Sequence, residues 1–219
     1  MFRAILFDLD NTLIDRQTAF RLYANDFCRR HLPWSTTFEQ EQAVNELLAA
    51  DDWGYRPRDE FTTWVSERFP DTQLTSSDIW DDCCRHLPSF VVPDVRVQEM
   101  LARLSGRFQL LVVTNGSRAN QHEKLWRAQL NNYLQTLIVS GEVGVEKPHP
   151  EIFALALSIA GCVADEALFV GDNPMTDITG AKHAGLNAYW VSLGRCYPHS
   201  ATQPDRILAS VLDLENCLP

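Results

Sequence analysis

Two carboxylates stand two positions apart at the end of the first apolar run of this 219-residue chain, in Asp8-Leu9-Asp10-Asn11-Thr12-Leu13. Residues two apart on an extended segment point the same way, so Asp8 and Asp10 can share one pocket. Held close, they repel unless a cation sits between them or one is protonated. The same residues suit a cap and turn at a strand-to-helix junction, and on this pair alone the two readings stand level. Thr114-Asn115-Gly116-Ser117 also follows an apolar run and offers a hydroxyl, an amide and backbone N–H groups to an anion, with Ser117 doubling as a helix cap. In Glu146-Lys147-Pro148-His149-Pro150, Pro148 keeps Lys147 extended, so its ammonium can reach across the strand ends; a solvated lysine is the plain alternative. Gly171-Asp172-Asn173-Pro174-Met175-Thr176-Asp177 forms a strand-to-helix turn, with Pro174 at the first helical position and Asn173 as cap. Asp177 there complements the helix dipole, whereas Asp172 has no comparable structural reason for its position.

Short apolar runs must position these groups. RAILFD (Arg3–Asp8) reads as a buried strand, after which strand patterning stops for about eighty residues. Helical periodicity runs through Asp15–Arg30, Thr36–Ala50, Arg58–Phe69 and Ser76–His86, punctuated by Pro33, Pro57, Pro70 and Pro88. Beyond Pro93, helices at Asp94–Leu104, Arg118–Leu130, Glu151–Ala160 and Pro174–Ala184 alternate with strands. The strands are Phe108–Thr114, Thr136–Ser140, Ala167–Gly171, Asn187–Ser192 and a short one at Arg206–Leu208. The alternation predicts an α/β fold, a Rossmann-like parallel sheet with helices on both faces, built from 1–14 and 93–219. Residues 15–92 then form an inserted all-helical domain. Ligands of such sheets gather at the carboxyl ends of the strands, where the four polar clusters lie.

The bulk properties narrow the partners. A net charge of −10 argues against nucleic acid, but not against a small phosphorylated ligand whose charge a metal offsets. No apolar run reaches membrane-spanning length, and Met1–Phe7 is too short for a signal peptide, so a cytoplasmic protein with no membrane partner is expected. The six cysteines lack metal-site or disulfide spacing and are read as small buried hydrophobes of a reducing compartment. The six histidines lack zinc-ligand spacing. The sequence carries no signal of oligomeric state.

Taken in order along one parallel sheet, DxDxT, TNG, KP and GDxxxxD resemble the haloacid dehalogenase-like superfamily. The likeness covers the first fifteen residues and about 93–193, and the insertion resembles the helical C1-type cap. TNGSRANQHEKL and SGEVGVEKPHPEIF look closest to the branch of pyrimidine 5′-nucleotidases and N-acylneuraminate-9-phosphatases. The resemblance implies an Mg²⁺-dependent phosphatase acting on a small phosphorylated metabolite. Asp8 would be the nucleophile and Asp10 the acid and base. Mg²⁺ would be held by Asp8, the Asp10 main-chain carbonyl and Asp172, with Asn173 and Asp177 behind them. Thr114, Asn115, Gly116 and Lys147 would bind the phosphoryl group, and Lys147 would also offset charge during catalysis.

Asp10 discriminates among reactions, because an alkoxide leaving group needs a proton and a halide does not. A phosphomutase shares the four motifs and differs in its cap; a dehalogenase is disfavoured by Asp10. A phospho-acceptor signalling domain is disfavoured because its accepting aspartate follows a mid-domain strand. A non-catalytic module is disfavoured because every expected polar position is filled. Within the insertion, Trp34, Trp53, Tyr55, Arg56, Arg58, Trp64 and Trp80 are the large recognition-type side chains. Trp64 and Trp80 are expected in its core, while Trp53, Tyr55 and Arg56, in a loop between helices, are candidates to face a substrate.

Overall fold

A computed structural model describes residues 1–32, 36–134 and 136–218, so Trp34 lies outside the described residues. The chain divides into two compact units, Met1–Ile14 with Pro93–Pro219, and Asp15–Val92.

The first unit is a six-stranded parallel sheet. Its strands are β1 (Ala4–Phe7), β2 (Gln109–Thr114), β3 (Thr136–Val139), β4 (Ala167–Gly171), β5 (Asn187–Val191) and β6 (Arg206–Leu208), in the order β3-β2-β1-β4-β5-β6. β1 pairs with β2 on one side and β4 on the other, Phe7 standing opposite both Val112 and Val170. That is where the strand order reverses, the place at which ligands bind such sheets. β1 and β4 are buried along their whole length, which is why they read as unbroken apolar runs. On one face Leu6, Leu111, Val113 and Phe169 pack with Ile152 and Phe153.

Four helices of the second unit come first in the chain: α1 (Arg16–His31), α2 (Thr37–Asp51), α3 (Arg58–Arg68) and α4 (Ser76–His86). Their starts are set locally. Asp15 accepts from the Thr18 N–H, and Thr36 with Glu39 and Thr75 with Asp78 form reciprocal capping boxes. Phe20, Tyr23 and Phe27 form a buried stripe on α1, with Phe20 edge-on to Phe61 at 5.9 Å. Two polar links tie the unit together. Arg16 forks onto Asp51 with bonds of 2.6 and 2.7 Å. Asp82 gathers Arg30, His31 and the Tyr23 hydroxyl. Trp64 and Trp80 are only half-buried, Trp64 edge-on to Phe69 and Trp80 beneath the Arg58 guanidinium.

Back in the first unit, α5 (Val95–Ser105) buries Val97, Met100, Leu101 and Leu104, an i, i+3, i+4, i+7 face. α6 (Arg118–Arg127) starts at its Ser117 cap and stops short of the expected Leu130. Ser140 opens a one-turn helix, α7 (Ser140–Val143), instead of ending β3. α8 (Pro150–Ala160) starts at its proline and ends at Gly161, whose φ of 60° suits a helix terminator. The expected helix after Asn173 opens as a π-turn, Pro174–Thr179, before one turn of α-helix, α9 (Gly180–His183). The Ile178 N–H reaches back five residues to the Asn173 carbonyl there, while the Thr179 hydroxyl donates to the Pro174 carbonyl.

Cys28 and Cys83 are buried as expected of small hydrophobes, but Cys84, Cys162 and Cys217 are half-buried and Cys196 is exposed. Among the described residues no helix is long and apolar enough to cross a membrane.

Candidate active site

Asp8 is the first residue past β1, and its N–H donates to the Val170 carbonyl, extending the β1–β4 ladder by one bond. Asp172 is the first residue past β4, the neighbouring strand, so sheet register alone brings the two carboxylates to one end of the switch point. Asp177 joins them from the π-turn. Ligand oxygens of Asp8, Asp172 and Asp177, all three buried, lie within 4.8 Å of one another. Gly171 makes the approach possible, because a Cβ there would meet the Asp177 Cγ at 2.6 Å.

The Lys147 ammonium answers this charge. Its Nζ donates to Asp8 Oδ1 and to Asp177 Oδ1, both at 2.7 Å, and the side chain is 2% exposed. Burial works against the Lys147 charge, but Asp177 and Asp8 more than offset it and hold the group above the ordinary lysine range. Asp8 moves the opposite way from a simple ion pair. Burial pushes its carboxyl well above the usual range; Lys147 pulls it back, and Asp177 and Asp172 push it up again. Three carboxyl groups thus converge where this one ammonium stands.

Asn115 and Gly116 both make hydrogen bonds within the protein. The Asn115 side chain accepts from the Lys147 N–H and donates to the Lys147 carbonyl, both at 2.9 Å, which fixes the backbone carrying the lysine. The Gly116 N–H donates to Ser140 Oγ at 3.0 Å. Thr114 is 1% exposed at the end of β2. Asn173 Oδ1 is engaged as a cap, accepting from the Met175 and Thr176 N–H groups, while the Asn173 N–H donates to Asp177 Oδ2 at 2.9 Å.

The Asp10 side chain has a different set of partners from the three clustered carboxylates. Lys124 Nζ lies 2.9 and 2.7 Å from its two oxygens, and Gln121 Nε2 donates to Asp10 Oδ2 at 3.0 Å and to Thr114 Oγ1 at 2.6 Å. Neither α6 residue stands out in the sequence. Their spacing of three on a helix that begins at Ser117 is the available signal, since it puts both on one face. Arg195 likewise carries no signal in the sequence. Its guanidinium reaches Asp172 Oδ2 at 3.1 Å, and Trp190 Nε1 holds the Asp172 carbonyl at 2.6 Å.

Trp53, Tyr55 and Arg56 belong to the second unit, all half-buried. Trp53 sits in a short 3₁₀ turn, Asp52–Gly54, with φ of 61°, and lines a cleft of about 350 Å³ with Gln17, Thr18, Arg21, Leu48 and Ala49.

Three buried carboxylates, all hard oxygen donors, suit a divalent cation such as Mg²⁺.

The haloacid dehalogenase-like hydrolase family model matches residues 5–191. The chain belongs to that family. It is 30% identical to the pyrimidine 5′-nucleotidase YjjG of Escherichia coli, over 98% of this chain and 96% of that one. It is 29% identical to the N-acylneuraminate-9-phosphatase of Mus musculus, over 97% of this chain and 92% of that one. Among solved structures, YfnB of Bacillus subtilis, bound to magnesium, shares the fold at a TM-score of 0.81 and 23% identity, covering 99% and 98% of the two chains. The protein is thus a haloacid dehalogenase-like hydrolase whose relatives include named phosphatases and nucleotidases.

Proposed function

We propose that this family member is an Mg²⁺-dependent phosphatase that hydrolyses a small phosphate monoester, of nucleotide or sugar phosphate type, through a phospho-aspartate on Asp8. The observation that carries the reading is the buried Asp8–Asp172–Asp177 cluster bridged by Lys147. The names of the relatives support the substrate class.

Asp8 attacks phosphorus, and the bond to the ester oxygen breaks with its electron pair on that oxygen. Asp10 gives the departing oxygen its proton. Water then attacks the phosphorus of the aspartyl phosphate, Asp10 takes a proton from it, and the Asp8–phosphorus bond breaks to restore the carboxylate. Lys147 holds Asp8 in place and offsets the repulsion between carboxylate and phosphoryl oxygens. Thr114, with the Asn115 backbone, orients the phosphoryl group. Asp8, the Asp10 main-chain carbonyl and Asp172 would hold the ion, and Asp177 and Asn173 would support it. When bound, the dication supplies Lewis-acid polarisation of the phosphoryl oxygens and makes up the missing positive charge. The 15–92 unit serves as the cap that sets selectivity, with Trp53, Tyr55 and Arg56 as the candidates for substrate contact.

The test is phosphate release across a panel of phosphorylated metabolites, with Mg²⁺ or EDTA, by wild type and Asp8→Asn. Turnover that needs both the metal and Asp8 is expected. Turnover indifferent to either would overturn the mechanism.

A further inference from the structure

Lys124 is buried to 4% exposure, and Gln121, one turn earlier on α6, to 1%. Burying an ammonium is costly unless it is paired, and Lys124 meets that cost by placing its Nζ within 3 Å of both Asp10 oxygens, at 2.9 and 2.7 Å. A carboxylate held at both oxygens loses its freedom to rotate. Gln121 adds a second constraint, because one amide nitrogen bridges Asp10 Oδ2 and Thr114 Oγ1. Through that nitrogen the orientation of Asp10 is tied to the end of β2, where the proposed phosphoryl-binding loop begins. A structural ion pair alone would not require this shared contact, since apolar residues of similar volume fill buried sites equally well.

We propose that Lys124, with Gln121, is a positioning residue that holds the Asp10 carboxyl in line for proton transfer to the departing oxygen. The inference rests on the phosphatase reading above and goes beyond it by assigning these α6 side chains to the acid–base step. Misplacing a catalytic group by about 1 Å costs on the order of 100-fold in rate. The loss must fall on substrates whose leaving oxygen needs a proton. An alkyl phosphate leaves as a strongly basic alkoxide, whereas p-nitrophenyl phosphate leaves as a stable anion.

The experiment compares kcat/KM of wild type, Lys124→Met, Lys124→Arg and Asp10→Asn on an alkyl phosphate and on p-nitrophenyl phosphate, with Mg²⁺ saturating. kcat/KM extends only to the first irreversible step, phosphorylation of Asp8, so the later water step does not enter. For Lys124→Met, the alkyl ester should lose about 100-fold more than the aryl ester. Asp10→Asn should show the same split, and Lys124→Arg, which keeps charged donors, should recover part of the alkyl activity. Equal loss on both esters, or no loss on the alkyl ester, would overturn the proposal and leave the phosphatase reading intact. A wild type that turns over neither ester would overturn both. If Lys124→Met does not fold, Gln121→Leu carries the same comparison, because it removes one Asp10 donor and leaves the ammonium in place.

Discussion

Replacing Lys147 with methionine keeps an unbranched side chain, one atom shorter, and removes its charge. In the native protein the ammonium makes two 2.7 Å ion pairs, to Asp8 and Asp177, whose side chains are 9% and 1% exposed. Removing one partner of a buried pair costs about 3–5 kcal/mol, because the remaining charge stays buried and unanswered. In a chain of this length each kcal/mol lowers the melting temperature by about 2–4 °C. The variant should therefore melt about 6–20 °C below wild type near neutral pH in EDTA, measured by differential scanning calorimetry. The sign of the pH dependence follows from Lys147 being held above its ordinary range. Its contribution is fully present below about pH 10 and is lost only as pH rises through the folded value. As pH falls, Asp8, held well above the usual carboxylate range, takes up a proton and the gap between variant and wild type narrows. Saturating Mg²⁺ should narrow it at neutral pH because the ion binds the more negative site of the variant more tightly, each tenfold gain in affinity being worth about 1.4 kcal/mol. A variant melting within about 2 °C of wild type in EDTA would refute the claim that this ammonium offsets the cluster.

Further outcomes concern the helical unit. Asp51→Ala leaves the part-buried Arg16 guanidinium without the carboxylate that accepts its fork, and should destabilise by about 3 kcal/mol in urea titrations; replacing both partners with apolar residues should regain most of the loss. Burial pushes Asp82 up, but hydrogen bonds from Arg30, His31 and Tyr23 outweigh it and leave the carboxyl below the usual range. Its stabilising effect is present above about pH 4 and lost as pH falls through the folded value, so the destabilisation caused by Asp82→Asn should shrink on acidification in thermal melts.

The sheet was legible where physics made it so. β1, β2 and β4 are covered on both faces and appear as continuous apolar runs, and the residues that follow β1 and β4 land together because the strands are neighbours in register. The one-turn helix at Ser140 was not legible, since four residues are too few to show a period. The π-turn after Asn173 shares its apolar pattern with an α-helix and differs in hydrogen bonding. Within the site, Asp8 and Asp172 can be read from strand ends, and Lys147 from the proline that follows it. The pairing of Lys124 with Asp10 cannot, because 114 positions separate the partners and a buried lysine on a helix looks like a solvated one in sequence. Asn115 is similar: its type suggests a ligand contact, while its side chain is engaged in fixing the backbone of Lys147.

The claim that Asp8 becomes covalently phosphorylated is tested most directly by acid-quenching the enzyme during turnover of its best ester and mapping the phosphoryl adduct by peptide mass spectrometry. A single acid-stable, alkali-labile adduct on the peptide containing Asp8, absent from Asp8→Asn, is the predicted result. Steady phosphate release with no adduct at Asp8, or full turnover by Asp8→Asn, would contradict it.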